Sequence, residues 1–140
     1  MRPDGNVLWL LGRASLWAHH VMNASFAVTG LRKLHYIVLA NLNHRTAATQ
    51  AELCRATGID RSDMVALLND LEQDGYVRRA PDPDNRRRNI VTLTSAGHDM
   101  LARLDALAAE ARDTILAPLT SAERDRLTRY LERIVQEGKP

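Results

Sequence analysis

Apolar positions recur with a helical period along most of this chain. Val7, Leu8, Leu11, Ala14, Ala18 and Val21 mark a first helix over 7–27, with Leu10, Trp17 and Phe26 on neighbouring faces. A helix apolar on more than one stripe must be covered on more than one side, and in a chain this small the second cover is a partner subunit. After Gly30, the residues Leu31, Leu34, Tyr36, Ile37, Val38, Leu39 and Leu42 predict a second helix over 31–44, and Asn43-His44-Arg45-Thr46 reads as a polar connection. Thr49-x-x-Glu52 is a capping box that starts a short helix to Thr57, where Gly58 terminates it. Asp60 caps the next helix, with Asp63 in its first turn. There Met64, Leu67, Leu68 and Leu71 fall at i, i+3, i+4 and i+7, one inward stripe that ends before Gly75.

The period then changes. Tyr76-Val77-Arg78-Arg79-Ala80 and Ile90-Val91-Thr92-Leu93 are β-prone, and Pro81-Asp82-Pro83-Asp84-Asn85 between them is turn chemistry, so a hairpin is expected. A hydroxyl cap at Thr94-Ser95-Ala96-Gly97 opens a long helix. Its seam is Leu101, Leu104, Ala108, Ala111 and Ile115, and its alanines permit close approach. Pro118 ends that helix. A second capping box, Thr120-x-x-Glu123, opens a last one on Leu127, Tyr130, Leu131, Ile134 and Val135. Met1 to Asn6, with Pro3 and Gly5, reads as a loose start. The expected class is mainly α with a small β-hairpin wing. Helix, turn, helix and a hairpin with a basic tip form a winged helix-turn-helix, a plan that lays one helix in a DNA major groove with a cationic loop beside it.

Composition changes this picture little and charge changes it more. The 140 residues suit one domain with a real core, 45% of them are apolar, and no run approaches 18 apolar residues. No secretory signal is read, and Cys54 as the lone cysteine excludes an intrachain disulfide, so a cytoplasmic protein is expected. Net charge is only +2, yet residues 75–97 set five arginines (Arg78, Arg79, Arg86, Arg87, Arg88) against Asp82 and Asp84. Only Lys33 and Lys139 among the 19 basic residues are lysines. Arginine forks onto phosphate or guanine in a planar way that lysine cannot match.

Leu71-Glu72-Gln73-Asp74-Gly75-Tyr76-Val77-Arg78-Arg79 is similar to the run "LE-x-x-G-(hydrophobic)-(V/I)-x-R" of the MarR (multiple antibiotic resistance regulator) family of bacterial transcription factors. The similarity continues through Asp82-Pro83-Asp84-Asn85-Arg86-Arg87 and Val91-Thr92-Leu93-Thr94-x-x-Gly97, close to "D-P-x-D-R-R…V-x-L-T-x-x-G". With six helices and a wing in the same order, the chain resembles that family over nearly its whole length. The resemblance implies one domain over 1–140, a homodimer held by segments 7–28 and 95–137, and a DNA-binding lobe over 31–93. It also implies a two-fold operator, a repressor of a neighbouring gene, and release by an aromatic or amphipathic ligand in a crevice beside the dimer platform. The chain departs from the pattern at Asn85, where the family often has an Asp that pairs with a wing arginine; Asp84 is the substitute expected here. It departs again at Ala66 and Asp70, where basic residues are common, and at Asp63, where Thr or Ser is.

The candidate DNA contacts are Arg61, Ser62, Val65, Ala66 and Asn69 on the helix capped by Asp60, and Arg86, Arg87 and Arg88 on the wing. Arg61 could fork onto guanine and Asn69 onto adenine, while the wing arginines enter the minor groove or grip phosphate. Trp17, His20, His35 and Tyr36 are the candidates for lining an organic-ligand crevice, with core packing as the alternative. His19 and His20 diverge by about 100° on a helix, and no CxxC or HExxH set is present, so no metal site and no cofactor is expected. Cys54 reads as inert packing, with a redox switch as the alternative. Nothing has catalytic motif support. Two other readings stay open: a metal-sensing regulator, and a winged-helix protein-interaction module without DNA binding.

Overall fold

A computed structural model describes residues 5–138. The described residues form α1 (Val7–Phe26), α2 (Lys33–Arg45), β1 (Ala47–Thr49), α3 (Gln50–Thr57), α4 (Arg61–Gln73), β2 (Val77–Asp82), β3 (Asn85–Leu93), α5 (Ser95–Ile115) and α6 (Ser121–Glu137). A single 3-10 turn, Ala27–Thr29, follows α1. Of the loose start expected over Met1 to Asn6, residues 1–4 lie outside the described residues. Asn6 itself is ordered chemistry: its Oδ1 accepts from the Leu8 amide at 2.8 Å and caps α1.

The helix starts follow the sequence. Thr49 and Glu52 exchange bonds at the start of α3, and Thr120 and Glu123 do the same at α6. Asp60 Oδ1 accepts from the Asp63 amide at 2.8 Å at the start of α4. After α4 the chain must reverse within three residues, Asp74 to Tyr76, to begin β2. Gly75 provides that reversal at φ 82°, a left-handed geometry that costs other residues steric strain.

The core sits where α2, α3, α4 and the sheet meet. Phe26, Val38, Leu39, Leu42, Leu53, Met64, Leu68, Leu71, Val91 and Leu104 are fully buried. Burying a leucine or phenylalanine side chain contributes roughly 1.5–3 kcal/mol relative to leaving it in water. The predicted α4 stripe, Met64, Leu67, Leu68 and Leu71, is the part of α4 that faces inward. Of the α5 seam, Leu101, Leu104 and Ala111 are buried, while Ala108 and Ile115 are half-buried.

The sheet departs from expectation in two ways. Ala47–Thr49, between the expected connection Asn43–Thr46 and the helix opened by Thr49, is a third strand that pairs antiparallel with Ile90–Thr92, giving the order β1-β3-β2. The hairpin is also longer than the β-prone runs. Asp82 pairs with Asn85, so only Pro83 and Asp84 form the turn, and Arg86, Arg87 and Arg88 lie on β3 rather than in a loop. A register shift at Pro81/Asp82 accommodates a proline that has no amide to donate.

Two surfaces remain without cover. On α1, Val7 and Leu8 are 67% and 74% exposed, and Leu16 and Trp17 are 59% and 55% exposed. On α6, Tyr130, Leu131, Ile134 and Val135 all face solvent, and no α6 residue is buried. α1 packs along α5 with its other side. α6 is fastened chiefly at its start, where Arg124 Nε donates to the carbonyls of Leu116 (3.1 Å) and Leu119 (3.2 Å) and its Nη1 to Asp113 (3.0 Å).

Candidate nucleic-acid interface

The core stripe of α4 fixes which of its residues face out. Arg61, Ser62, Val65, Ala66 and Asn69 are all exposed, on the side opposite Met64, Leu67, Leu68 and Leu71. Small and polar groups predominate there, as a helix entering a groove requires. The Asp60 carboxylate also accepts the Ser62 hydroxyl at 3.0 Å, so Ser62 is drawn into the helix cap. Asp60 is held below the ordinary carboxylate range by the Asp63 amide first and the Ser62 hydroxyl second. Asp63 is exposed in that first turn and supplies its amide to the cap.

The wing stands beside this face. Arg61, Arg87 and Arg88 line one cleft of about 580 Å³ together with Gln50, Ala51 and Asn89, so α3, the start of α4 and β3 share a cationic groove. Cys54 also lines it and is half-buried. Arg86 and Arg87 are exposed, and among the described residues neither makes an ion pair. Arg88 is different. Its Nε donates to Asp82 Oδ2 at 2.7 Å, and Asp82 Oδ1 accepts the Asp84 amide at 2.9 Å. Asp82 is buried, and these bonds, the Asp84 amide foremost, hold its carboxyl below the usual range. The clasp of the wing tip is therefore Asp82–Arg88. The expectation that Asp84 replaces the family's aspartate at Asn85 is corrected: Asp82 points back across the hairpin, whereas Asp84 supplies only its backbone.

A second bridge joins α4 to the wing. Glu72 Oε1 accepts from Arg79 Nη2 at 2.9 Å and from its Nε at 3.3 Å, and Glu72 Oε2 accepts the Arg79 amide at 3.1 Å. Arg79 Nη2 also donates to Asn69 Oδ1 at 2.7 Å. Asn69, expected to fork onto adenine, thus has one lone pair of its carbonyl oxygen engaged by Arg79 within the protein. Glu72 and Asn69 are three residues apart on one helical face, a spacing visible in the sequence, but their shared partner arrives from β2.

Asp70 is the missing basic position with a role of its own. The Arg32 amide donates to His35 Nδ1 at 3.1 Å, so Nδ1 is an acceptor and the ring proton belongs on Nε2, which lies 3.0 Å from Asp70 Oδ2. His35 thus caps α2 and ties it to α4. It is buried and borders a polar cleft of about 350 Å³ with Arg32, Asp70, Gln73 and Asp74. Tyr36 packs edge-on against Phe26 at 5.3 Å and donates its hydroxyl to Asp105 Oδ1 at 2.6 Å. Burial first, and the Asp105 carboxylate second, push its pKa up to about 12. Trp17 and His20 lie exposed on α1. Of the four residues expected to line a crevice, then, His35 is buried and Tyr36 half-buried, each held by a carboxylate partner, while Trp17 and His20 face solvent. No group of three or more His, Cys, Asp or Glu among the described residues is placed to hold a metal ion. No helix among them is long and apolar enough to cross a membrane.

Comparisons with known proteins agree with this geometry. The MarR family model matches residues 29–88, the span from the turn after α1 through the arginines of β3. The chain is 27% identical over 109 residues to the HTH-type transcriptional repressor NicR of Pseudomonas putida, covering 78% of this chain and 69% of that one. Among solved structures, a mutant MarR from E. coli complexed with operator DNA superposes with TM-score 0.81 at 21% identity, over 89% of this chain and 90% of that one. Bordetella bronchiseptica BpsR, whose DNA binding is regulated by 6-hydroxynicotinic acid, superposes with TM-score 0.85 at 24% identity, over 96% and 95%. At such identities the superpositions carry the fold, and the family match carries the kinship. The six-helix order, the wing that follows α4 and the match over 29–88 make this chain similar to the MarR family.

Proposed function

We propose that this chain is a ligand-responsive transcriptional repressor that binds a two-fold operator as a homodimer. The observation that carries the DNA reading is the groove shared by Arg61, Arg87 and Arg88 beside the exposed face of α4. Arg87, which makes no ion pair among the described residues, Arg88, which Asp82 clasps, and Arg61 at a helix start suit a phosphate backbone and the base edges next to it. Arg61 and Val65 then face base edges, Ser62 and Ala66 allow close approach, and Arg86, Arg87 and Arg88 serve the wing.

The homodimer reading rests on the uncovered apolar faces of α1 and α6, since clustered exposed apolar residues mark interaction surfaces. Segments 7–28 and 95–137 form the platform, and 31–93 forms the reading lobe. Two-fold symmetry of the platform requires two-fold symmetry of the site. An aromatic acid is the ligand class, by analogy with the regulated relative, and Trp17 and His20, exposed at the platform, are the residues to receive it.

A mobility-shift assay on the DNA upstream of the protein's own gene tests the proposal. A shift at low salt that weakens steeply as salt rises supports it. No shift at low salt favours a protein-interaction module instead. A thermal-shift screen against aromatic acids tests the sensor separately, because a ligand that binds the folded dimer raises its melting temperature.

A further inference from the structure

Asn69 sits at the centre of the exposed face of α4, and Arg79 fixes its orientation. A guanidinium has only donors. The atom that meets Arg79 Nη2 at 2.7 Å is therefore the carbonyl oxygen Oδ1, and the amide Nδ2 lies on the other arm. Arg79 cannot turn away easily. Glu72 holds its Nη2 and Nε through one carboxylate oxygen and its backbone amide through the other. Nδ2 of Asn69 meets no hydrogen-bond acceptor among the described residues, and the residue is exposed.

This matters for base reading. An asparagine recognises adenine with both arms, accepting from N6 and donating to N7. Here one of the two lone pairs on the accepting oxygen is held by a charge-assisted bond, which is among the stronger ones, and the Arg79 guanidinium stands against that arm. What remains toward the groove is an amide group with two protons and no lone pair. Guanine presents two acceptors, O6 and N7, on its major-groove edge, whereas adenine presents one acceptor beside a donor. We infer that Arg79 is a positioning residue that turns the accepting arm of Asn69 toward itself and leaves the donating arm for the groove, so that α4 selects guanine at the base pair Asn69 meets. This inference rests on the DNA-binding reading above and adds the base it specifies.

The test uses the full-length protein. A duplex library with a randomised core is selected for binding, and dissociation constants are then measured on the selected operator with each base pair replaced in turn. Melting temperatures of all variants are recorded beside them. In the wild type, one pair in each half-site prefers guanine over adenine by on the order of tenfold. Asn69→Ala abolishes the preference at that pair alone. Arg79→Met, which keeps the aliphatic stem and removes the donors, frees Oδ1 and moves the preference at the same pair from guanine toward adenine. Glu72→Gln, which loosens Arg79 while preserving its volume, shifts it in the same direction. A merely structural role for Arg79 would weaken all sequences alike without changing the preferred base. The inference is overturned if the Asn69-dependent pair prefers any base but guanine, if no pair depends on Asn69, or if folded Arg79→Met keeps the wild-type preference. A library from which nothing is enriched at low salt overturns the DNA-binding reading, and this inference with it; an enriched operator with the wrong base at that pair overturns the inference alone.

Discussion

Gly97 is the residue at which α5 passes the root of the wing, and Gly97→Ala should be poorly tolerated. The backbone there is ordinary, so the argument concerns only the space for a methyl group. A Cβ on Gly97 would lie well inside contact distance of the Tyr76 carbonyl oxygen, 3.0 Å from its carbonyl carbon and 3.2 Å from Leu93 Cδ2. The first two obstacles are backbone, and they are held. The Tyr76 carbonyl accepts the Thr94 amide at 3.1 Å, and the Thr94 hydroxyl donates to the Gly75 carbonyl at 2.6 Å while also capping α5. Room for the methyl requires α5 to move off the wing root. Forcing an extra carbon into a packed site costs roughly 1–3 kcal/mol, and an unyielding backbone places this case near 3. Against that, alanine in a helix gains about 0.5–1 kcal/mol over glycine. The clash wins, with a net loss of about 2 kcal/mol. At roughly 3 °C per kcal/mol for a chain of this length, the melting temperature falls by about 6 °C. Differential scanning calorimetry at one fixed protein concentration measures it, since dimerisation makes the midpoint concentration-dependent. An unchanged or raised midpoint would mean that propensity alone governs the position, and the account of the wing root would be wrong.

Other perturbations separate the parts of the molecule. Arg87→Ala removes an unpaired wing cation; it should weaken operator binding about equally for all sequences and flatten the salt slope by about one unit, and a salt titration with an unaltered slope contradicts this. Ile134→Asp places a carboxylate on the uncovered face of α6; light scattering at micromolar concentration should then find single subunits, and a persistent dimer refutes the platform assigned to α6. Acid should destabilise the fold through Asp82, Glu72, Glu52, Asp60 and Glu123, all of which titrate below their ordinary values because they accept internal hydrogen bonds. Their contribution is complete above the unfolded carboxylate range, near about pH 4, and is lost as pH falls through the depressed folded values. Thermal midpoints that rise between about pH 4 and pH 2 would reverse that sign and refute it.

What the sequence reveals and what it conceals follows from the range of the interactions. The caps at Thr49, Asp60 and Thr120 and the stripe Met64-Leu67-Leu68-Leu71 are written within four residues, so they can be read directly and the structure contains them. β1 is hidden because Ala47-Ala48-Thr49 carries no strand pattern; its pairing with Ile90–Thr92 comes from across the fold. The wing turn reads too wide in the sequence because Pro81 and Asp82 before Pro83-Asp84, and Asn85 after it, are turn-prone residues, although strand pairing continues to Asp82 and Asn85. The partnerships that orient the exposed site are also through space: Asn69 with Arg79, ten residues on, and His35 with Asp70, thirty-five residues on. Periodicity locates a face; it does not say which polar atoms on that face are already occupied.

Arg124 has a consequence far from its own surroundings. By gripping the carbonyls of Leu116 and Leu119, in the turn after α5, and the side chain of Asp113 on α5, it ties the start of α6 to the end of α5 and holds the elbow between them. In a symmetric pair joined through α6, that elbow angle becomes a lever: a few degrees there are multiplied along α5 into ångströms between the two copies of α4. In the proposed pair, Arg124 is thus the joint through which a change at the start of α6 would reach the spacing of the two copies of α4.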